Sequence, residues 1–209
     1  MSARWAWALL LGAVGWAFGA EDAYYRRFLE RFNAIRTLQA DFYQRLSGVG
    51  GVEEGNGTLQ LKRPGRLRWE YAAPDRKLFF LEGRRYLCYQ PGERQLLVQS
   101  LQDEDLEESP LVFLLGGKRD LDRHYAVSPA PAGESGRRYV LTPRRQGGPF
   151  KRIILTLAGD PPFIVEISLF EENDNFHYYR FSNVRFDLPV ADAVFRFTPP
   201  AGTEIIREE

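Results

Sequence analysis

The chain has 209 residues, with 28 basic against 28 acidic side chains, 44% hydrophobic content and one cysteine. That length supports a sizeable core in one domain, and near-neutrality speaks against nucleic acid as a partner and against strong attraction to an anionic membrane surface. A single cysteine excludes an intramolecular disulfide framework, so the fold has to rest on its core.

At the N-terminus Arg4 precedes an apolar run from Trp5 to Phe18 that exits through Gly19-Ala20. This is the pattern of a secretory signal peptide, residues 1–19, cleaved after Gly19 with Ala17 and Gly19 at the small-residue positions. The run falls short of the ~18 apolar residues that a membrane span needs. No Cys follows the cleavage point, so the exported chain, residues 20–209, carries no lipid of its own there. Losing Arg4 leaves one more acid than base, and losing Trp5, Trp7 and Trp16 leaves Trp69 as the sole tryptophan.

Glu21 to Thr37 reads as the one long helix. Tyr25, Phe28, Phe32 and Ile35 recur at helical spacing with Leu29 beside them, while Arg26, Arg27, Glu30 and Arg31 face away. From Leu38 to Leu46 the period changes to two, with Leu38, Ala40 and Phe42 opposite Gln39, Asp41 and Tyr43. Ser47 to Gly57 reads as a Gly-rich loop. A meander of short strands follows over 58–91: Leu59 and Leu61, then Leu67, Trp69 and Tyr71, alternate with Gln60, Lys62, Arg66, Arg68 and Glu70. One oily face and one charged face mark antiparallel strands with one side wet, and Arg66 and Arg68 belong to that wet side. Cys88, inside a strand pattern, reads as a small buried hydrophobe.

Gln95 to Leu101 continues as a strand. Ser109 at the cap, Pro110 at the first turn and Gly116-Gly117 after Leu115 mark a short helix that is apolar almost all round. Strands return over His124–Pro129, Arg138–Pro143, Phe150–Ala158, Phe163–Phe170 and Phe176–Val184, with a short terminal one over Val194–Phe197. This order lacks a βαβ alternation. It predicts a mainly β, α+β fold: a large antiparallel sheet with one apolar face, and helices that plug a half-open barrel.

Catalytic patterns are poor. Ser135, in Gly133-Glu-Ser-Gly136, has the wrong spacing for a nucleophile elbow. Gly48-Val-Gly50-Gly51 has Glu53 where a dinucleotide loop needs its third glycine, so it reads as a hairpin. Asp120, Asp122 and His124 would share a face on a strand, as metal ligands do, but a polar strand face beside Arg119 and Arg123 is the better reading. Glu171 to Asn175 lacks the spacing of an EF-hand loop and reads as a solvated turn. The residues favour an exported binder over an enzyme, with no metal and no cofactor.

A set of segments in order then resembles a known family, the periplasmic outer-membrane lipoprotein carriers, LolA. The segments are Leu38-Gln-Ala-Asp-Phe-Tyr-Gln44 after the helix, Leu61-Lys-Arg-Pro64 leading to Arg68-Trp69-Glu-Tyr71, and Tyr89-Gln-Pro91. Ser109-Pro110-Leu111, Val140-Leu-Thr-Pro143 and Phe195-Arg-Phe-Thr-Pro-Pro-Ala-Gly202 complete them. The resemblance implies an incomplete antiparallel β-barrel closed by a helical lid over an apolar cavity that shields acyl chains. It implies a periplasmic monomer that takes acylated lipoproteins from an inner-membrane lipoprotein-releasing ABC transporter to an outer-membrane receptor lipoprotein. It places a lid latch at Arg63 and turns Phe28, Phe32 and Ile35 toward the cavity. Phe42, Leu59, Leu61, Leu67 and Trp69 from the strands, and Leu111, Phe113 and Leu114 from the lid helix, complete the wall. Tyr86-Leu87-Cys88-Tyr89 departs from relatives, which often carry a Trp-aromatic pair there. Competing readings are a periplasmic lipid- or lipoprotein-sensing regulatory module of similar shape, a carrier of another lipid, and a lipid hydrolase.

Overall fold

The structure, a computed structural model, describes residues 22–102 and 121–208. The segments read as a signal peptide and as an apolar helix with Leu111, Phe113 and Leu114 lie outside the described residues. Helix α1 (Ala23–Ala34) is shorter than the periodicity predicts, because Asp22 caps it and Ile35 leaves helical backbone. Among the described residues twelve strands follow in one open sheet. They are β1 (Thr37–Gly48), β2 (Gly51–Lys62), β3 (Arg66–Ala73), β4 (Lys77–Glu82), β5 (Arg85–Gln90) and β6 (Gln95–Ser100), then β7 (Tyr125–Gly133), β8 (Gly136–Pro143), β9 (Phe150–Ala158), β10 (Phe163–Glu171), β11 (Phe176–Phe186) and β12 (Glu204–Glu208).

The spatial order is β12-β6-β5-β4-β3-β2-β1-β11-β10-β9-β8-β7, so the sheet is not closed into a barrel. Two meanders meet at the antiparallel pair β1·β11: the chain steps outward from β1 to β6, resumes at the far edge with β7, and steps back to β11. The half-barrel of antiparallel strands is thus recovered, with one exception. β12 runs parallel to β6, with Ile205 opposite Leu96.

Three sequence expectations need correction. The Gly-rich stretch Gly51–Gly57 is strand rather than loop: only Val49-Gly50 turns, and Gly48 pairs with Gly51. Its glycines answer to close packing. A Cβ on Gly57 would stand 1.8 Å from the Glu70 carbonyl oxygen, and one on Gly55 would stand 3.1 Å from the Tyr71 ring. Val194–Phe197 is not a strand, since Asp192–Phe195 forms a 3-10 turn. His124 ends a one-turn helix, α2 (Leu121–His124), so Asp122 and His124 do not share a strand face.

Pairing across β3–β6 sorts side chains onto two faces. Leu67, Trp69, Phe79, Leu81, Tyr86, Cys88 and Leu97 share the inner face, and Leu78, Phe80, Leu87, Tyr89, Leu96 and Val98 share the outer one. The outer face is therefore not simply wet. The chain after β11 crosses it: Phe197 stacks on Phe80 and Tyr89 at 5.2 and 4.8 Å, and Phe195 is buried. Arg66 and Arg68 are not free solvent charges but hold this segment. Arg66 pairs with Asp192 at 2.7 Å, and Arg68 reaches the Val194 carbonyl and Glu70. Lys62 adds a bond to the Val190 carbonyl at 2.8 Å.

Gly57→Ala should cost about 1–3 kcal/mol, because the overpacked methyl meets backbone that cannot step aside. Urea denaturation measures it, and an unchanged midpoint would mean β2 and β3 can separate locally at no cost.

Candidate functional site

The inner face is built from three sources. Period two in β1 and β3 sends Leu38, Ala40, Phe42, Leu67 and Trp69 to one side, and β2 adds Leu59 and Leu61 at its far end. Helix α1 lays Tyr25, Phe28 and Phe32 over the other half of the sheet, where Phe28 and Phe32 meet Phe163 at 6.3 and 6.5 Å and Tyr25 meets Tyr139 at 4.9 Å. Aromatic pairs at such separations add to the burial of their area.

All eight expected cavity residues within the described chain, Phe28, Phe32, Ile35, Phe42, Leu59, Leu61, Leu67 and Trp69, fall into one cluster, none more than 6% exposed. In this state they are packed against one another rather than lining an open channel. The wall continues: Tyr71, on the oily face with Trp69 as the alternation predicts, and Phe79 and Tyr86, which the sequence pattern did not assign, lie half-buried in a row, with Trp69–Tyr71 at 6.4 Å, Tyr71–Phe79 at 5.7 Å and Phe79–Tyr86 at 6.2 Å. The run Leu78-Phe79-Phe80-Leu81 has no alternation, so the pattern could not assign its faces. Next to this row opens a cavity of about 590 Å³ lined by Gln44, Leu46, Gly55, Tyr71 and Phe79, with Glu53, Glu54, Asp75 and Lys77 at its rim.

Gly55 lines that cavity, and Gly57 lies two residues further along β2. On β2 they continue the inward row of Leu59 and Leu61 but contribute no side chain. Across the gap the Tyr71 hydroxyl donates to Gln44 Oε1 on β1, while Gln44 Nε2 donates to the Tyr179 hydroxyl on β11 at 2.9 Å. Burial pushes the Tyr71 phenol up to about 12, so it stays a neutral donor.

Arg63 sits at the turn after β2. Its Nη1 donates to the Phe32 carbonyl, and its guanidinium carbon lies 4.6 Å from the centroid of the Phe32 ring. Phe32 is in the last turn of α1, where carbonyls lack partners within the helix, so a cation there satisfies an acceptor and suits the helix dipole.

The other end of α1 is held by Asp22, whose carboxylate accepts from the Tyr24 N–H at 2.9 Å and from the Tyr139 hydroxyl at 2.7 Å. Burial alone would raise this carboxyl. The hydrogen bonds from Tyr139 and the backbone, with the charge of Arg137, outweigh that and hold it below its ordinary value. A depressed carboxylate stabilises the fold above the unfolded group's 3.8 and loses that contribution as pH falls through the folded value. Asp22→Ala should therefore cost about 0.5–2 kcal/mol at neutral pH. The gap to the parent protein should narrow in acid, as thermal melts at pH 7 and pH 3 would register. A gap that does not narrow would remove the carboxylate from the account.

Among the described residues no group of three His, Cys, Asp or Glu side chains could hold a metal ion. Cys88 is half-buried on the inner face, between Phe79 and Leu97, and burial pushes its thiol up, which disfavours the reactive thiolate. Ser135 donates to Glu166 at 2.7 Å at the surface.

Comparison with known proteins agrees with this architecture. The sequence profile of the family described as "Outer membrane lipoprotein carrier protein LolA" matches residues 33–198. An outer-membrane lipoprotein carrier protein from Methylococcus capsulatus is 28% identical over 208 residues, covering 96% of this chain and 97% of its own. One from Dechloromonas aromatica is 29% identical over 175 residues, covering 83% and 82%. Among solved structures, an uncharacterized conserved protein from Thermus thermophilus superposes with a TM-score of 0.56 at 13% identity, covering 88% of this chain and 97% of that one. MucB superposes with a TM-score of 0.53 at 15% identity, covering 86% of this chain and 64% of its own. Both structures share the fold.

Proposed function

The chain belongs to the LolA family of outer membrane lipoprotein carrier proteins, a family of carriers and not of enzymes, and from that premise we propose that it is a periplasmic chaperone for acylated lipoproteins. The observation that carries the reading is the inner face, where α1, β1–β5 and β8–β11 converge on one continuous apolar cluster that runs on into the half-buried row Tyr71, Phe79 and Tyr86. Acyl chains would enter along that row and displace packed contacts of Phe42, Leu59, Leu61, Leu67 and Trp69, with Phe28, Phe32 and Ile35 above them. Leu111, Phe113 and Leu114 would supply the lid.

The energetics fit a carrier that is loaded and unloaded by direct transfer. Three acyl chains of roughly 16 carbons, at about 0.8 kcal/mol per buried CH₂, represent about 30 kcal/mol or more against water. Noncovalent affinities saturate near ~20 kcal/mol, so the cargo is never set free in solution. Loading needs an outside source of work, which an inner-membrane ABC transporter supplies, and delivery needs a receptor lipoprotein that takes the chains directly. Arg63 serves as the latch: its bond to the Phe32 carbonyl favours the closed, empty form.

Native mass spectrometry of the protein isolated from its own periplasm tests this. A bound di- or triacylated lipoprotein supports the carrier. A chain recovered only with phospholipid, or empty and bound to a membrane regulator, overturns it.

A further inference from the structure

The hairpin that carries Arg63 has a charge conflict at its base. Lys62 and Arg66 are register partners across β2 and β3, so two like charges stand directly opposite each other on the outer face, an arrangement that works against pairing. Only Arg63, Pro64 and Gly65 lie between them. Packing leaves this turn room to move. A cavity of about 950 Å³ opens between it, the end of α1 and the segment that follows β11, lined by Ala34, Thr37, Lys62, Arg63, Asp187 and Val190 among others. Yet the turn has to present the Arg63 guanidinium to the Phe32 carbonyl on the other side of the sheet.

One carboxylate resolves the conflict. Asp192 Oδ1 accepts from Lys62 Nζ at 2.5 Å and pairs with Arg66 Nη1 at 2.7 Å, so a single oxygen bridges both cations. Glu82 reaches Arg66 only at 3.8 Å. The hydrogen bond from Lys62 and the charge of Arg66 hold the Asp192 carboxyl below its ordinary value, which keeps it ionised. The chain on either side fixes Asp192 in turn. Asp187 Oδ1 accepts from the Arg36 N–H at 2.8 Å, Lys62 donates to the Val190 carbonyl at 2.8 Å, and Phe195 is buried at the end of the 3-10 turn. The Arg36 carbonyl accepts from the Arg63 N–H at 2.8 Å. The segment from Asp187 to Asp192 thus grips Arg63 twice, through Arg36 at its backbone and through Lys62 and Arg66 at its hairpin. An exposed ion pair taken alone adds little to stability, whereas a carboxylate shared by two opposed cations sets geometry. We propose that Asp192 is a positioning residue for the latch: by neutralising Lys62 against Arg66 it fixes the hairpin twist at which Arg63 meets the Phe32 carbonyl. Its part in delivery rests on the carrier reading, while its hold on the bond to Phe32 does not.

The Phe32 carbonyl carbon resonance of the isotope-labelled, exported protein reads this bond at its acceptor. Asp192→Asn keeps the size of the side chain and removes its charge. In that variant the resonance should move toward its position in Arg63→Leu, and delivery of a labelled lipoprotein to a receptor should fall about fivefold. Adding Arg66→Gln to Asp192→Asn removes the repulsion itself, so the resonance and the delivery rate should both return toward the parental values. A Phe32 resonance that stays in place in Asp192→Asn overturns the positioning role and leaves the carrier standing. A resonance that moves and is not restored by Arg66→Gln also overturns it, because a lost strap anchor would act that way without any opposed cations. A resonance that moves and is restored, with delivery unchanged throughout, upholds the positioning of Arg63 and overturns the latch.

Discussion

Phe28→Ala should lower the free energy of unfolding by about 3–5 kcal/mol, a large share of the roughly 5–15 kcal/mol that holds a domain together. Phe28 is completely buried and lies within 5.7 Å of the Tyr25 ring, 5.5 Å of Phe32 and 6.3 Å of Phe163. The loss combines transfer of the ring to water with the void it leaves, and α1 offers little room to collapse because Asp22 and Arg63 pin its two ends. Urea unfolding with a matched slope is the measurement. A loss below about 1 kcal/mol would mean that α1 rides loosely on the sheet, contrary to its buried face. The same variant probes cargo. An acyl chain can fill the vacated space, so bound lipopeptide should raise the variant's melting temperature more than the parent's. Binding to the native state alone stabilises by RT ln(1 + [L]/Kd).

Arg63→Leu should leave loading intact and reduce delivery to a receptor by about 30-fold, the equivalent of about 2 kcal/mol. The guanidinium makes a charged bond to the Phe32 carbonyl and covers the Phe32 ring, two contacts with α1 that the proposed latch would break on opening. Charged hydrogen bonds are worth about 1.5–3 kcal/mol and cation–π contacts about 0.5–2 kcal/mol. On the proposed reading, energy regained when the latch re-forms would help release the cargo, and a carrier without it should hold on. Arg63→Lys keeps charge but loses the planar fork, and it should fall between the two. Transfer of a labelled lipoprotein from purified carrier to receptor gives the rate directly. Delivery at the parental rate by Arg63→Leu would remove the latch and leave Arg63 as a helix-terminal cap.

Much of the sheet was legible because alternation is a local property. In β1, Leu38, Ala40 and Phe42 face inward as the pattern required, and the meander from β3 onward was placed within a residue or two. The eight apolar residues assigned to the wall meet because each lies on a face that periodicity can identify. What escaped depends on partners distant in sequence. Gly55 and Gly57 read as loop formers until Tyr71 is seen crossing them. Arg66 and Arg68 read as solvated charges until Asp192 and Val194 arrive more than a hundred residues later. Phe195 and Phe197 look like an alternating strand, yet Phe195 is buried in a 3-10 turn and Phe197 packs against Phe80 and Tyr89. Gln44 has the parity of Leu38, Ala40 and Phe42, so the period of two already turns it inward, but its partner Tyr179 lies 135 residues away.

The strap from Asp187 to β12 has a consequence for how the molecule comes to be folded. Gln95 and Glu204, bonded across β6 and β12, are 109 residues apart in sequence, and Gln44 and Tyr179 are 135 apart. Synthesis proceeds at about 5–20 residues per second, so the outer surface of β4–β6 is made several seconds before the segment that shields it. Contacts of such long range also slow the search for the native arrangement. Throughout that interval Phe80, Leu87 and Tyr89 stand uncovered, which makes the nascent chain a client in need of protection before it can protect anything else.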